Sequence, residues 1–347
     1  MTRSRFTASR FVMHIGIAAA ALALAIVISP GVGSGEMGVF EAWRSRADTD
    51  SAAHFIAFRL RLPQTIKALV AGLTLALSGA VFQTLFRNVL ATPYTLGIAS
   101  GGSLGALIAV KLGLDGLMLG LPQGAWCAMA GCALVVGLVF LMAGGHRLTG
   151  NALVLGGVTI GFFCSAMMMF VTYLADVRET YFVVRWMMGS LESVGNEQVL
   201  RALGPLAVSW GILLWCSQSL NQFALGDEIA ASRGVRPAAL QAVCIIFASL
   251  GTACVVSLCG PIGFVGLIVP QAVRMVVGRD HRILLPGAAL WGATFLVVCD
   301  WLTRLVPTWY GAAMGVEVTA SPLPIGVMTA VVGAPVFLVL LRRGRSI

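Results

Sequence analysis

Few residues in the sequence have types and spacing that could do chemistry. The only two lysines, Lys67 and Lys111, follow isoleucine and valine, so neither completes the G-x-x-x-x-G-K-[ST] loop that cradles nucleotide phosphates. The eight cysteines form no C-x-x-C pair and lie almost entirely in apolar stretches, which is typical of small buried side chains. No Ser-His-Asp set or carboxylate pair has catalytic spacing. The residues therefore predict neither an enzyme nor a metal site.

Ionisable residues deep in the apolar stretches are also scarce. Lys67, Asp300 and Arg304 lie inside such stretches, whereas the four histidines lie at their ends or between them. Proton-coupled carriers place Asp, Glu or His deep in membrane helices. This scarcity favours a transporter powered by a separate subunit, with a secondary carrier as the alternative.

The elements that position these residues are predicted to be membrane helices. Of 347 residues, 58% are apolar and 11% charged, whereas a globular chain is about a quarter charged. At about 20 residues per crossing, this content supplies up to about ten helices. Apolar stretches fall near 11–30, 64–86, 94–112, 117–143, 151–174, 198–216, 238–259, 266–277, 283–305 and 323–341. The stretch 266–277 is too short to cross alone, and 306–322 is predicted to be a long connection.

The distribution of positive charge predicts the orientation. The formal net charge is +9, and arginine supplies most of the cations. With the first stretch read as a membrane helix whose N-terminus is inside, thirteen arginines fall in cytoplasmic segments and seven cations on the opposite side. This asymmetry follows the positive-inside rule, so an even number of crossings puts both termini in the cytoplasm.

Several motifs, in order from about residue 55 to 343, resemble those of the FecCD family of permeases. They are Arg61-Leu62-Pro63, Leu77 to Gln83, Arg87 to Gly97, Trp186 to Leu191, Leu225 to Val235, Gly260 to Pro270, Leu323 to Gly326 and Gly333 to Phe337. The glycine and proline positions of the most specific motif are Gly260, Pro261, Gly263, Gly266 and Pro270. The sequence departs from the family pattern at Gln271, where histidine is usual.

The resemblance implies an all-α integral membrane protein with the type II ABC importer permease fold. That fold has about ten helices, with helices 2–5 and 7–10 related by an internal pseudo-twofold, in a single domain covering 1–347. The implied partners are a second copy or a similar permease, a cytoplasmic ATPase dimer and a periplasmic binding protein, in the bacterial inner membrane. ATP and Mg²⁺ would be used by the ATPase, and this chain would need no cofactor.

The resemblance also assigns docking roles. In the family, periplasmic arginines pair with glutamates of the binding protein. Arg61 and Arg304 match two of these positions. Gln64 occupies a third where arginine is common, so that contact is either weaker or taken over by Arg59. A guanidinium group suits this task because it binds a carboxylate through two hydrogen bonds. The alternative is that Arg61 and Arg304 anchor helix ends.

The ATPase is expected to bind the coupling segment, residues 222–236. Leu225, Ile229 and Ala230 recur at helical spacing, which predicts a short amphipathic helix ended by Gly234. The resemblance places the coupling contact at Leu225, Gly226, Asp227, Glu228, Ser232, Arg233, Gly234 and Val235. The alternative is a plain cytoplasmic loop.

Methionines are the candidates for the wall or gate of the pathway. Met168 and Met169 near the end of the fifth stretch, and Met187 and Met188 beyond it, have the adaptable side chains that suit a large ligand passing without tight binding. The alternative is apolar filler. No side chain is placed as a metal or haem ligand, so we expect the cargo to travel as an intact chelate. By family frequency the cargo is predicted to be a ferric siderophore, then haem, then cobalamin.

Overall fold

A computed structural model describes residues 8–33, 38–114, 116–118, 121–142, 150–192, 196–315 and 322–344. Its helices are α1 Ala8–Ile28, α2 Val39–Arg44, α3 Ala52–His54, α4 Leu62–Leu85, α5 Ile98–Lys111, α6 Gln123–Met142, α7 Gly150–Tyr173, α8 Val177–Met187, α9 Glu197–Trp215, α10 Ser217–Phe223, α11 Asp227–Ser232, α12 Pro237–Cys259, α13 Val265–Val277, α14 His281–Met314 and α15 Ile325–Gly344. A π-helix, Phe55–Arg61, leads into α4, and two short strands, β1 Leu117–Met118 and β2 Leu121–Pro122, pair before α6.

The predicted all-α membrane fold is confirmed. Within the described residues, six helical stretches are long and apolar enough to cross a bilayer, and four shorter apolar helices accompany them. Together they match the ten apolar stretches of the sequence. The shorter four include α5 with 14 residues and α13 with 13, which are below the roughly 17 residues that a single crossing needs.

The pseudo-twofold repeat is visible in the order and packing of the helices. In each half a long helix, α4 or α12, is followed by a half-length helix, α5 or α13. The residue before each half-length helix has positive φ, at Gly97 (+70°) and Phe264 (+68°). Each long helix packs against the half-length helix of the other half, α4 on α13 and α12 on α5.

Glycines let these helices approach each other closely. A Cβ at Gly79 would lie 2.0 Å from the carbonyl oxygen of Gly266, and one at Gly72 would lie 2.2 Å from that of Gly292. Small residues at crossings are expected in lipid, where no hydrophobic drive joins one helix to another. Gly266 lies opposite the middle of α4, so α13 begins inside the bundle and not at a membrane surface.

The structure corrects three predicted boundaries. The stretch predicted from residue 117 begins its helix at Gln123, because 117–122 includes the strand pair. The helix predicted to end near 305 continues to Met314, since the residues after Pro307 are compatible with a helix, and the predicted long connection is correspondingly shorter. Residues 316–321, with Glu317, lie outside the described part of the chain. The half-length helix α5 begins at Ile98 because Gly97 turns the backbone there.

Two faces of the bundle recur below. The coupling face holds the end of α4, the segment α10–α11 and the start of α14, which contact one another. The far face holds the start of α4, residues 188–192 and the last turns of α14. The two faces are joined by the full length of α4.

Candidate functional site

The coupling segment, 222–236, begins in the last residues of α10 and contains one short helix, α11, as the sequence predicts. Gly226 separates them with φ +124° and ψ 151°, a conformation that is essentially restricted to glycine. Leu225 lies before α11 and is therefore not part of the predicted helix. Gly234 follows α11 with φ +84°, as expected for a helix stop, and Pro237 begins α12.

One side of the coupling segment is anchored and the other is open. Phe223 and Ala230 are fully buried against the bundle. The exposed side carries two large apolar side chains, Leu225 and Ile229, that are 56% and 44% exposed. Of the other residues predicted to make the coupling contact, Gly226 and Val235 are half-buried, and the rest are exposed: Asp227, Glu228, Ser232, Arg233 and Gly234. The open side therefore combines apolar and charged groups, as a docking surface for a soluble partner would.

Arg87 ties the end of α4 to the coupling segment. Its guanidinium donates to the Asp227 carboxylate at 2.5 Å and to the carbonyl oxygen of Phe223 at 3.1 Å, and it lies 5.1 Å from the centroid of the Phe223 ring. The Arg87 backbone has φ +48°, which is uncommon for a residue with a side chain. Arg87 falls in a family motif of the sequence but has no predicted role, because Asp227 lies 140 positions further along the chain and nothing in the sequence signals the contact.

A second anchor joins α10 to the start of α14. The Asn221 side-chain oxygen accepts hydrogen bonds from the His281 backbone N–H at 2.8 Å and from its ring Nδ1 at 2.7 Å. The other ring nitrogen, Nε2, lies 2.7 Å from the hydroxyl oxygen of Thr84 on α4. The Asn221 amide donates to Asp280 at 2.8 Å. Partial burial favours a raised pKa at Asp280, but hydrogen bonds from Arg282 and Asn221 outweigh it and hold the pKa below its ordinary value.

We expect Asn221→Ala to lower the unfolding free energy by about 2 kcal/mol, because it leaves the buried His281 N–H groups without their acceptor. The measurement is the thermal midpoint of the purified protein in detergent. Asn88→Ala is the control, since the exposed Asn88 side chain accepts one local hydrogen bond from Leu90. Equal midpoints for the two variants would contradict the anchor.

The arginines assigned to docking differ in exposure. Arg61 and Arg304 are each only 6% exposed, whereas Arg59 is exposed. Arg61 donates to the carbonyl oxygen of Pro30 at 2.9 Å. Arg304 forms a buried ion pair with Asp300, one turn earlier on α14, and reaches the carbonyl oxygen of Arg61 at 3.4 Å. In the isolated chain these two arginines bind neighbouring segments of the bundle.

A polar cavity of about 30 Å³ lies beside this ion pair on the far face. Its polar lining includes Gln64, Arg185, Ser190, Glu192, Asp300 and Arg304. Such a volume holds about two water molecules. The Nε of Arg304 is buried without a protein partner, and a water molecule in this cavity would suit that donor.

Three motifs meet at one buried crossing. A Cβ at Gly260 would lie 2.4 Å from the carbonyl oxygen of Trp186, and one at Gly189 would lie 2.8 Å from that of Pro261. The Gly326 N–H donates to the carbonyl oxygen of Met188 at 3.0 Å. The motifs around 186–191, 260–264 and 323–326 thus contact one another through their backbones.

The rest of the glycine-proline motif packs α13 against α4. The side-chain amide of Gln83 donates to the carbonyl oxygens of Gly266 and Leu267 at 3.2 and 3.1 Å. Gln271, the departure from the family pattern, donates to the Gln83 side-chain oxygen at 3.2 Å. Pro270 is buried within α13, and Gly263 lies in the turn before it.

The candidate pathway methionines do not form one cluster. Met168 is buried and lines a small cavity of about 10 Å³ with Met187 and Val183. Met169, the next residue on α7, is 75% exposed, and Met188 is 41% exposed. The structure therefore brings Met168 and Met187 together and leaves Met169 on the outer surface of α7. Among the described residues, no three His, Cys, Asp or Glu side chains group to hold a metal ion.

Comparisons with known proteins identify the same family that the sequence motifs resemble. The FecCD transport family matches residues 21–343. The vitamin B12 import system permease protein BtuC of Salmonella typhi is 37% identical over 310 residues, 87% of this chain and 88% of that protein. BtuC of Citrobacter koseri is 36% identical over 326 residues, 93% of this chain and 92% of that protein.

Solved structures show the same fold. An inward-facing metal-chelate type ABC transporter has a TM-score of 0.80 and 30% identity, covering 95% of this chain and 98% of its own. PsaBC from Streptococcus pneumoniae, at 14% identity and a TM-score of 0.51, shares the fold alone. Helix order, motif contacts and relatives agree: the chain belongs to the FecCD transport family and is a multi-pass membrane permease of the ABC importer type, not itself a catalytic subunit.

Proposed function

We propose that this permease imports a corrinoid of the vitamin B12 class, passing it from a binding protein to the cytoplasm by alternating access driven by a separate ATPase. The supporting observation is that relatives with 36–37% identity across nearly the whole chain are vitamin B12 import permeases. Cobalamin therefore replaces the ferric siderophore as the first choice of cargo. The ranking by family frequency put it third, because no residue in the sequence carried information on cargo.

An iron chelate is the second candidate. The inward-facing structure with 30% identity is a metal-chelate type transporter, and a ferric siderophore or haem is also a large metal chelate. The adaptable methionines Met168 and Met187 suit any of these ligands.

Uptake measurements test the choice. A bacterial strain without its own corrinoid permease receives this chain with the binding protein and ATPase encoded beside it. Labelled cyanocobalamin, ferric siderophore and haem are then compared. Cobalamin accumulation that exceeds the other two supports the proposal, and accumulation of a ferric siderophore alone would replace it with the second candidate.

The ATPase partner would bind the coupling segment, 222–236, where Leu225 and Ile229 are exposed beside Glu228 and Arg233. This partner would use ATP and Mg²⁺, and the permease would carry no cofactor. Because Arg87 links Asp227 to the end of α4, motion of the coupling segment would pass directly to a helix that spans the bundle.

The remaining parts of the proposal concern assembly and orientation. A second copy, or a similar permease, would enclose the pathway together with this chain in the bacterial inner membrane. The coupling face would lie in the cytoplasm with both termini, in line with the excess of arginine on that side. The far face, with Arg59, Arg61 and Arg304, would receive the periplasmic binding protein.

Of these arginines, the exposed Arg59 provides the direct test of docking. We expect Arg59→Glu to weaken binding of the binding protein by about tenfold, because an acidic partner then meets a like charge. Affinity is measured with the purified permease–ATPase complex in nanodiscs. Arg46→Glu, an exposed arginine outside the motif, is the control. Unchanged affinity in the Arg59 variant would remove Arg59 from the docking surface.

A further inference from the structure

The two lysines of the chain have related positions. Of the 23 Lys and Arg residues only Lys67 and Lys111 are lysines, on different helices, α4 and α5. Each donates a hydrogen bond to a backbone carbonyl next to α8: Lys111 to Leu174, just before it, and Lys67 to Glu192, just after it. The two ammonium groups therefore bracket one helix.

The hydrogen bond from Lys67 to the Glu192 backbone is buried. Lys67 is 4% exposed, and its Nζ lies 3.2 Å from the carbonyl oxygen of Glu192. The Glu192 carboxylate is engaged elsewhere, by Arg185 at 2.8 Å. Burying an ammonium group costs desolvation free energy, so its presence inside a membrane helix indicates a role beyond packing. Lys67 can instead hold the main chain of 188–192, which passes the start of α4 without regular secondary structure.

The same segment is held from two other sides. The Ser190 N–H donates to the carbonyl oxygen of Cys259 at 2.8 Å, which fixes it to the end of α12. The N–H groups of Ile325 and Gly326, at the start of α15, donate to the carbonyl oxygens of Gly189 and Met188. The end of α8 is thus fixed to α4, α12 and α15.

The hydrogen bond from Lys111 holds the other end of α8, its start. Its Nζ lies 2.9 Å from the carbonyl oxygen of Leu174, in the turn between α7 and α8. Lys111 is the last residue of α5, the half-length helix of the first repeat. The start of α8 is therefore held to the end of α5.

Between the brackets, α8 packs on one side and is open on the other. Val183 is buried against Leu107 and Met168. Val177, Tyr181, Val184 and Met188, spaced four, three and four residues apart, are all 41–87% exposed. This spacing puts Val177, Tyr181 and Val184 on one face of the helix, and Met188, in the turn that follows, continues it. A fixed apolar surface on the far face is suited to contact a large chelate that enters there.

We propose that Lys67 and Lys111 are positioning residues that bracket α8 and so fix how far α8 leaves room for cargo entering at the far face. The bracketing concerns this chain alone, whereas the effect on cargo rests on the proposed corrinoid import. Neither lysine need touch the cargo. Each acts through the backbone of α8.

Hydrogen–deuterium exchange of the permease–ATPase complex in nanodiscs tests the brackets. In Lys67→Met we expect exchange in 188–192 to be about tenfold faster, and in Lys111→Met the same increase near 174–180. Methionine is also unbranched and flexible, is one atom shorter than lysine, and removes the donor. Lys67→Arg keeps a donor and should stay near the unaltered rate. Arg201→Met, which removes a surface pair with Glu197 on α9, is the control for loss of a cation.

Uptake of cyanocobalamin and of cobinamide, a smaller corrinoid, tests the effect on cargo. We expect the double variant Lys67→Met/Lys111→Met to change the ratio of the two uptake rates by about threefold, and Arg201→Met to leave it unchanged. A merely structural defect would lower both rates together and keep the ratio. Unchanged exchange, or faster exchange with an unchanged ratio, would overturn the proposal. If the unaltered protein imports no corrinoid, the proposed cargo fails, and the exchange rates alone decide whether the brackets exist.

Discussion

Replacing Gly226 with proline is expected to lower ATP-driven uptake by about 100-fold while the protein still inserts into the membrane. Proline fixes φ near −65°, whereas Gly226 has φ +124° between α10 and α11. The substitution also removes the Gly226 N–H that donates to the carbonyl oxygen of Phe223 at 3.1 Å. Because Arg87 connects Asp227 to α4, a displaced α11 would no longer move with the bundle.

The measurement compares cargo uptake with ATP hydrolysis in proteoliposomes containing the whole importer. Hydrolysis should continue while uptake is lost. Gly315→Pro is the matched control, since Gly315 also has positive φ (+64°) and an N–H that donates within a turn, but lies at the end of α14 on the far face. Normal uptake in the Gly226 variant would show that the coupling segment does not link ATP hydrolysis to cargo movement.

The second large effect is expected at the crossing of α4 and α13. Gly79→Leu should destabilise the protein by at least about 4 kcal/mol, in the range of severe core substitutions. A Cβ there would lie 2.0 Å from the carbonyl oxygen of Gly266, so the clash is with backbone and no side-chain rotation relieves it. Separation of the helices would also break the hydrogen bonds from Gln83 to the carbonyl oxygens of Gly266 and Leu267.

The yield of monodisperse protein and its thermal midpoint provide the measurement. Gly211→Leu is the control, because Gly211 lies in α9 with open space where its Cβ would be. We expect that variant to resemble the unaltered protein. A Gly79→Leu protein with an unchanged midpoint would mean that the two helices do not cross as described.

The membrane helices could be predicted because each carries its own signal. Apolar runs and helix stops such as Gly234 are local, and the ten runs match ten helices in the part of the chain that the structure describes. The short run 266–277 even predicted a partial span, which α13 is. The limits of these runs were less informative: a strand pair precedes α6, and α14 passes Pro307, because apolar composition does not reveal backbone geometry.

The contacts of the candidate site could not be predicted, since they join residues far apart in the chain. Arg87 and Asp227 are 140 positions apart, and Lys67 and Glu192 are 125 apart. Burial was equally hidden: Arg61 and Arg304 match docking positions in the family, but in this chain both side chains are enclosed. Their docking role stays a prediction, and Arg59 is the member of the set that is open to a partner.

The length of α14 has a consequence for whatever approaches the far face. Its 34 residues extend about 51 Å, well beyond the roughly 30 Å of bilayer hydrocarbon. Trp309 and Tyr310, 57% and 58% exposed, lie near its end, where aromatic rings favour the lipid headgroups. With its first turn at the coupling face and these two rings at headgroup level, the last turn of α14, after Tyr310, is the part that extends past the headgroups on the far side. A soluble protein that approaches the far face would therefore contact this last turn of α14 before it contacts the lipid.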